Sequence, residues 1–364
     1  MKLGLYGGTF DPPHIGHGEI VSFASGKGLF DKLLVLPSGN PPHKKGVTDM
    51  KFRYEMASLA FSDKAELCDF EMNAKRSYTV ETAKHFFSVT GEKNVLVIGG
   101  DSFRDFFSWY KPEEILSYCD LAVFPRVGAD YSETLDRVKA SGAKIDLFGD
   151  RITDVSSTRL KTDLRFGMDV TGRVIPEVVS YIKANGLYGE FSEIISKLKS
   201  ALKPSRFAHT YRVALKALEM NATVGLDGEK VFLASILHDC AKYVSPEECG
   251  FIPPEGMPES VYHAFEGAVV AEKVYGVKDE EILDAIRYHC TGCDEMKPLE
   301  KLVYVADYIE DGRGAYAEPV RKVFAGYGLD AAYEKARSET ERFSVEPEFS
   351  FFDKSISRFT LKIL

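Results

Sequence analysis

Two groups of residues in this chain have types and spacings suited to chemistry at phosphorus. The first is GGTFDPPHIGH, Gly7 to His17, which follows a β-rich run and opens a helical one. Gly7 and Gly8 carry no side chain where a backbone would approach phosphate oxygens, and the amino terminus of the following helix offers free N–H groups and a positive dipole end. His14 and His17 are three residues apart, so at the start of that helix both imidazoles can face one ligand. Further along, DVSSTRLK puts Ser156, Ser157 and Thr158 at the start of a late helix, where hydroxyls and exposed N–H groups can both cap the helix and grip phosphate oxygens.

The second group is His209, the adjacent pair His238-Asp239, His263, His289 and Asp307. A carboxylate beside an imidazole on an apolar helix is costly to bury unless both are paired or ligated, and a metal resolves that cost. Four histidines and two aspartates exceed the ligands of one ordinary site and suit two cations sharing the Asp239 carboxylate. Nitrogen and oxygen donors suit iron, manganese or similar ions. Cys290 and Cys293 form a CxxC with no second CxxC to complete a zinc site, and read as incidental thiols.

The elements that must position these residues change character along the chain. Up to about Gly189, β-rich runs (Lys2 to Tyr6, Lys32 to Leu36, Asn94 to Ile98, Leu121 to Phe124, Lys144 to Phe148) alternate with helical ones (Ile15 to Ser25, Met50 to Phe61, Val80 to Val89, Ser132 to Ala140). That alternation predicts an α/β domain with a Rossmann-like doubly wound parallel sheet. After the Gly186 to Glu190 segment the strand-like runs stop and apolar residues recur at helical spacing, as in Val213, Ala214, Ala217 and Leu218. The expectation is therefore an all-α domain over 190–364 behind a first domain over 1–189. Tyr316 to Leu364 reads as helices that either pack on the second domain or join two copies into a homo-oligomer.

Composition narrows the function classes. At 364 residues the chain is long enough for two cores, and its 45% hydrophobic and 28% charged residues are those of a globular protein. A net charge of −9 argues against broad nucleic-acid binding, which needs a concentrated basic surface. No run approaches the roughly 18 to 20 apolar residues of a membrane span. MKLGLYGGTF reads as a strand entering a glycine turn, not a signal peptide, and the six cysteines form no disulfide framework, so a cytoplasmic protein is expected.

The string Gly7 to His17 resembles the nucleotidyltransferase superfamily of the T/HxGH type, and further matches over about 189 residues resemble the bacterial nicotinate-mononucleotide adenylyltransferases. The resemblance implies that His14 and His17 stabilise charge at the α-phosphate of ATP, that Thr9 orients phosphates, and that Lys44 in LPSGNPPHKK lies near the triphosphate. It places Tyr78 and Thr79 of RSYTVET at the nicotinate, Asp101 at a nucleotide contact, and Trp109, the chain's single tryptophan, on the pyridine ring. DVSSTRLK resembles the family's ISSTxIR, with Lys161 where the family has its final arginine and Arg159 at the variable position, both expected at the triphosphate. ATP with Mg²⁺ and nicotinate mononucleotide are the implied substrates, with pantetheine phosphate as the rival acceptor.

The order H…HD…H…H…D resembles the HD phosphohydrolases, nearest to the bacterial family that cleaves diadenosine tetraphosphate symmetrically. By that resemblance His209, His238, Asp239 and Asp307 hold one metal, and His263 and His289, with Asp239 bridging, hold the second. Lys242 and Arg313 would contact phosphates of a dinucleoside polyphosphate. The rival expectation is a regulatory nucleotide-binding module or a nucleotidase.

Overall fold

Alternating apolar side chains point to opposite faces of a strand, so the β-rich runs can build a sheet buried on both sides. In the computed structural model, which describes residues 1–41, 46–72, 77–125, 129–149 and 152–343, they do. Strands β1 (Leu3–Gly8), β2 (Lys32–Pro37), β3 (Glu66–Leu67), β4 (Asn94–Gly99), β5 (Cys119–Phe124) and β6 (Ile145–Leu147) form a sheet in the order β3-β2-β1-β4-β5-β6. Every pairing is parallel. Leu3, Leu5, Leu34, Leu36, Leu96, Ile98, Leu121 and Val123 share one core, and Leu33, Val35, Val95, Val97, Ala122 and Phe124 share the other.

Among the described residues this half has eight α-helices: α1 (Ile15–Gly26), α2 (Met50–Phe61), α3 (Thr79–Thr90), α4 (Gly100–Arg104), α5 (Pro112–Tyr118), α6 (Ser132–Ala140), α7 (Ser157–Arg165) and α8 (Pro176–Ala184). Residues of α3 and α5 fill the first core, and those of α1 and α2 fill the second. The sheet is doubly wound, with β2 on one side of β1 and β4 on the other. At such a switch point two loops leave the carboxyl ends of neighbouring strands in opposite directions and open a crevice. Gly7 and Gly8 end β1 there, and Gly99 ends β4.

The structure divides into two compact units, Met1–Leu164 with Met168–Tyr188, and Arg165–Gly167 with the described residues from Gly189 onward. No strand occurs among the described residues of the second unit. Its helices are α9 (Ser192–Ala201), α10 (Pro204–Val224), α11 (Gly228–Leu237), α12 (Pro246–Cys249), α13 (Tyr262–Lys273), α14 (Glu280–Arg287), α15 (Pro298–Ile309) and α16 (Glu318–Phe343), the last broken at Gly328, where φ is +81°. Pro204 occupies the first turn of α10 and Gly225 closes it in the left-handed region, the favoured residues at those ends. His209 lies one turn before Val213, on the face of α10 that carries buried Val213, Ala217 and Met220, and so points inward. No helix among the described residues is long and apolar enough to cross a membrane.

Candidate functional sites

A cavity of about 490 Å³ sits over the switch point in the first unit. Gly7, Gly8, Thr9, His14, His17, Tyr78, Thr79, Asp101, Trp109, Ser156, Ser157 and Thr158 all line it, although they come from five separate stretches of chain. A Cβ at Gly7 would meet nothing of the protein closer than 4.0 Å, so glycine leaves room there for a ligand. Gly8 has a different reason, because a Cβ would meet the Phe10 ring at 2.6 Å.

The two histidines stack with ring centroids 3.6 Å apart. The backbone N–H of His14, the residue before α1, donates to His17 Nδ1 at 3.2 Å. An accepting Nδ1 leaves the ring proton on Nε2, which makes His17 Nε2 a donor. Phe10 packs edge-on to His17 at 5.1 Å and fixes the ring. The late helix is capped as its hydroxyls suggest: the N–H of Arg159 donates to Ser156 Oγ at 3.1 Å, and Ser157 Oγ donates to the Pro12 carbonyl at 3.1 Å. Glu19 accepts from the N–H and hydroxyl of Thr153, and Gly16 allows the approach, since a Cβ there would lie 2.9 Å from the Thr153 carbonyl.

Two expected triphosphate contacts are not in the cavity. Lys161 donates to Asp11 Oδ2 at 3.1 Å and to the Gly46 carbonyl at 2.8 Å, and Arg159 is exposed on α7. Burial by itself would raise the Asp11 carboxyl, but the Lys161 ammonium and hydrogen bonds from Thr48 and Tyr188 hold it below its ordinary value. Lys44 lies outside the described residues. Trp109 both lines the cavity and packs on Phe106, and Tyr110 adds a ring against Tyr78 at 4.7 Å.

Arg53 was not anticipated. Its side chain on α2 is among the most buried of its size, 1% exposed, and donates to four carbonyls: Thr48 at 2.7 Å, Thr9 at 2.9 Å, Ser38 at 2.7 Å and Gly39 at 2.9 Å. It ties the loop after β1 to the loop after β2. In the sequence it looks like any solvent-facing base of an amphipathic helix.

In the second unit, all six proposed ligands converge. His209 comes from α10, His238-Asp239 from the end of α11, His263 from the first turn of α13, His289 from just beyond α14 and Asp307 from α15. One oxygen of Asp239 faces one pair of histidines and the other faces a second pair. Oδ2 lies 3.5 Å from His238 Nε2 and 3.8 Å from His209 Nε2; Oδ1 lies 3.3 Å from His263 Nε2 and 3.7 Å from His289 Nε2. His209 Nε2 is also 3.0 Å from Asp307 Oδ1.

Outer partners orient the rings. His238 Nδ1 meets the Ser235 carbonyl at 2.6 Å, His289 Nδ1 the Ile286 carbonyl at 2.7 Å, and His209 Nδ1 the Glu310 carboxylate at 3.1 Å. Each acceptor holds the ring proton on Nδ1 and turns the Nε2 lone pair inward, the arrangement metal-binding histidines adopt. Burial and neighbouring imidazoles push His263 down to about 3, and burial with His238 pushes His289 down to about 4, so both are neutral as ligation requires. Asp239, despite burial, is held well below the carboxylate range, chiefly by the charge and hydrogen bond of His238. Its Oδ1 is buried with no hydrogen-bond partner, an orphaned atom that a cation would satisfy. The donor set therefore fits divalent metal.

Lys242 Nζ lies against the His263 ring, 3.1 Å from Nε2 and 3.3 Å from Nδ1, and Arg313 is bonded to the side chain and carbonyl of Asp307. Arg206, Arg212 and Glu310 were missed. Arg206 Nη1 donates to Asp239 Oδ2 at 2.7 Å and Arg212 Nε to Glu310 Oε2 at 2.6 Å. The spacing Arg206, His209, Arg212 on one helix was the available signal. Cys290 lies with His263 and His289 in a group whose ligand atoms are within 4.8 Å of one another.

Residues 5–163 match the cytidylyltransferase-like family and residues 206–312 match the HD domain. The protein of Mycoplasma genitalium named "Probable nicotinate-nucleotide adenylyltransferase/Ap4A hydrolase" is 26% identical over 86% of this chain and 88% of its own length. The "Probable nicotinate-nucleotide adenylyltransferase" of Caldicellulosiruptor bescii is 33% identical over 52% of this chain and 99% of its own. A crystal structure of a Clostridium acetobutylicum protein described as a "predicted HD superfamily hydrolase involved in NAD metabolism" is 30% identical over 42% of this chain and 86% of that one, with a TM-score of 0.39.

The switch-point cavity with its paired histidines and the clustered His/Asp centre thus define an enzyme that joins a nucleotidyltransferase to a metal-binding HD domain. More particularly, through its first half the chain belongs to the nicotinate-nucleotide adenylyltransferase family.

Proposed function

We propose that the first unit transfers the adenylyl group of ATP, accompanied by Mg²⁺, to nicotinate mononucleotide. A phosphate oxygen of the mononucleotide forms a bond to the α-phosphorus, the bond to the bridging oxygen breaks, and pyrophosphate leaves with nicotinate adenine dinucleotide as the other product. The nucleophile is already anionic, so the protein's work is positioning and charge stabilisation. His17 donates through Nε2 to the α-phosphate with His14 stacked beside it, Thr9 and the start of α7 at Ser156, Ser157 and Thr158 take phosphate oxygens, and Lys44 is assigned to the triphosphate by the family resemblance alone. Asp101 contacts the nucleotide, and Tyr78, Thr79 and Trp109 frame the pyridine ring. The observation that carries this reading is the fixed Nε2 donor of His17 in a cavity at the switch point. Turnover of nicotinate mononucleotide, set against nicotinamide mononucleotide and pantetheine phosphate, tests it; equal or better use of either rival overturns the acceptor.

We further propose that the second unit hydrolyses diadenosine tetraphosphate to two ADP at a two-metal centre of iron or manganese. Bound cations would supply Lewis acidity and a water of lowered pKa. His209, His238, Asp239 and Asp307 would hold one cation and His263 and His289, with Asp239, the second, while Lys242 and Arg313, now against His263 and Asp307, would meet phosphate oxygens. What supports two metals is the Asp239 carboxylate, whose two oxygens face two separate histidine pairs. Water adds to one inner phosphorus as the central P–O bond breaks. AMP with ATP as products would refute symmetric cleavage. The two activities are assigned to domains 1–189 and 190–364.

A further inference from the structure

A cavity of about 1040 Å³ in the second unit includes Lys242 and His263 of the metal-ligand cluster in its lining. Beyond those two, its lining residues include Phe251, Tyr262, the exposed Ile252 and Glu266. Glu266 stands three residues after His263 on α13, is 2% exposed, and has a buried Oε1 with no hydrogen-bond partner. A buried, unsatisfied carboxyl oxygen is destabilising, so one belonging to a residue that lines a large cavity points to a donor from outside the chain.

The surroundings decide which donor. Away from Lys242, phosphate is disfavoured because Glu247 and Glu259 line the same cavity and would repel it. A metal ion is disfavoured because, among the described residues, no group of three clustered ligand atoms includes Glu266. A flat apolar group carrying an N–H donor fits, since rings and Ile252 offer an apolar surface and Glu266 an acceptor.

We propose that this cavity seats the base of a nucleotide whose phosphates lie at the His/Asp cluster, and that Glu266 accepts a hydrogen bond from the exocyclic amine of that base. The inference rests on the reading of the second unit as a nucleotide phosphohydrolase. It makes Glu266 a specificity residue for amino-bearing bases, and it acts on binding, not on the reacting bond.

The test uses the full, metal-loaded chain and two substrates: diadenosine tetraphosphate and its analogue with unsubstituted purine in place of adenine, which removes the amine and adds no donor. The wild type should show a KM up to about tenfold lower for the adenine substrate, the size expected for one hydrogen bond. Glu266→Leu should abolish that preference, and Glu266→Gln, whose amide oxygen still accepts, should retain most of it. An undiminished preference in Glu266→Leu, or none in the wild type, overturns the proposal. Photolabelling with 8-azido-ADP separates it from the enzymatic reading: label on peptides spanning 246–266, lost in Glu266→Leu, supports the subsite even if nothing is hydrolysed. Absence of label there refutes the subsite whatever the hydrolytic result.

Discussion

Replacing Arg53, which does not itself line the cavity, should damage the transferase. Its guanidinium makes four hydrogen bonds to the carbonyls of Thr9, Ser38, Gly39 and Thr48, all from a side chain 1% exposed. A hydrogen bond to a charged group is worth about 1.5–3 kcal/mol, so the gross loss in Arg53→Met is about 6–12 kcal/mol. Relaxation and entry of water reduce that to about 3–5 kcal/mol, the range for breaking a buried charged network. For a unit of this size that lowers the melting temperature by roughly 10 °C. Calorimetry on the full chain should show one transition moved down by this amount and the other unmoved. Synthesis of nicotinate adenine dinucleotide, assayed well below the lowered transition, should fall by about tenfold or more, because the Thr9 loop loses its tether to the loop after β2. Arg53→Lys keeps the charge without the planar fork and should fall between the two. Wild-type melting together with kcat/KM within about twofold of wild type in Arg53→Met would refute the reasoning.

Three further outcomes follow from the two sites. His17→Ala should lower adenylyl transfer by about 10²- to 10³-fold through loss of one preorganised donor, with hydrolysis by the second unit as the internal control; near-normal transfer contradicts the role given to Nε2. Asp239→Asn should lower bound metal measured by elemental analysis as well as rate, because a bridge between two divalent cations needs an anionic ligand; full metal content with lost rate would mean Asp239 is not the bridge. Burial and the nearby Glu247 carboxylate push Glu266 up from 4.5 to about 7. The folded chain therefore holds that proton more tightly than the unfolded chain, and the stability it contributes is full below 4.5 and lost as pH rises through about 7. Glu266→Gln should flatten that pH dependence, read from melting temperatures across the interval; parallel curves for the two proteins would argue that the carboxyl does not titrate there.

Much of this architecture is legible because buried strands and catalytic motifs carry strong local signals. The β-rich runs at Lys32 to Leu36 and Asn94 to Ile98 alternate between two apolar cores and match β2 and β4 to within a residue. β3 escaped notice because Glu66–Leu67 is two residues long with no alternation to read. Helices α4 and α5, which flank Trp109, are only five and seven residues long, too short to show a helical apolar repeat in the sequence. The six His and Asp residues of the second unit could be found from their types, because burying such groups without a partner is expensive. Arg206, Arg212 and Glu310 could not be found so readily, since exposed and buried charged residues look alike in a sequence until helix faces are compared. Lys161 shows the reverse case: a motif position points to phosphate, and the fold engages the lysine with Asp11, a carboxylate 150 residues away in the chain.

The central claim is that one chain both makes a pyridine dinucleotide and splits a dinucleoside polyphosphate. A ³¹P NMR time course on the full, metal-loaded protein tests it most directly, first with ATP and nicotinate mononucleotide, then with diadenosine tetraphosphate. The account predicts pyrophosphate and a dinucleotide diphosphate signal in the first sample and ADP as the only nucleotide product in the second. Persistence of the tetraphosphate signals alongside full turnover of the first pair would contradict the claim and leave the HD domain as a nucleotide-binding module.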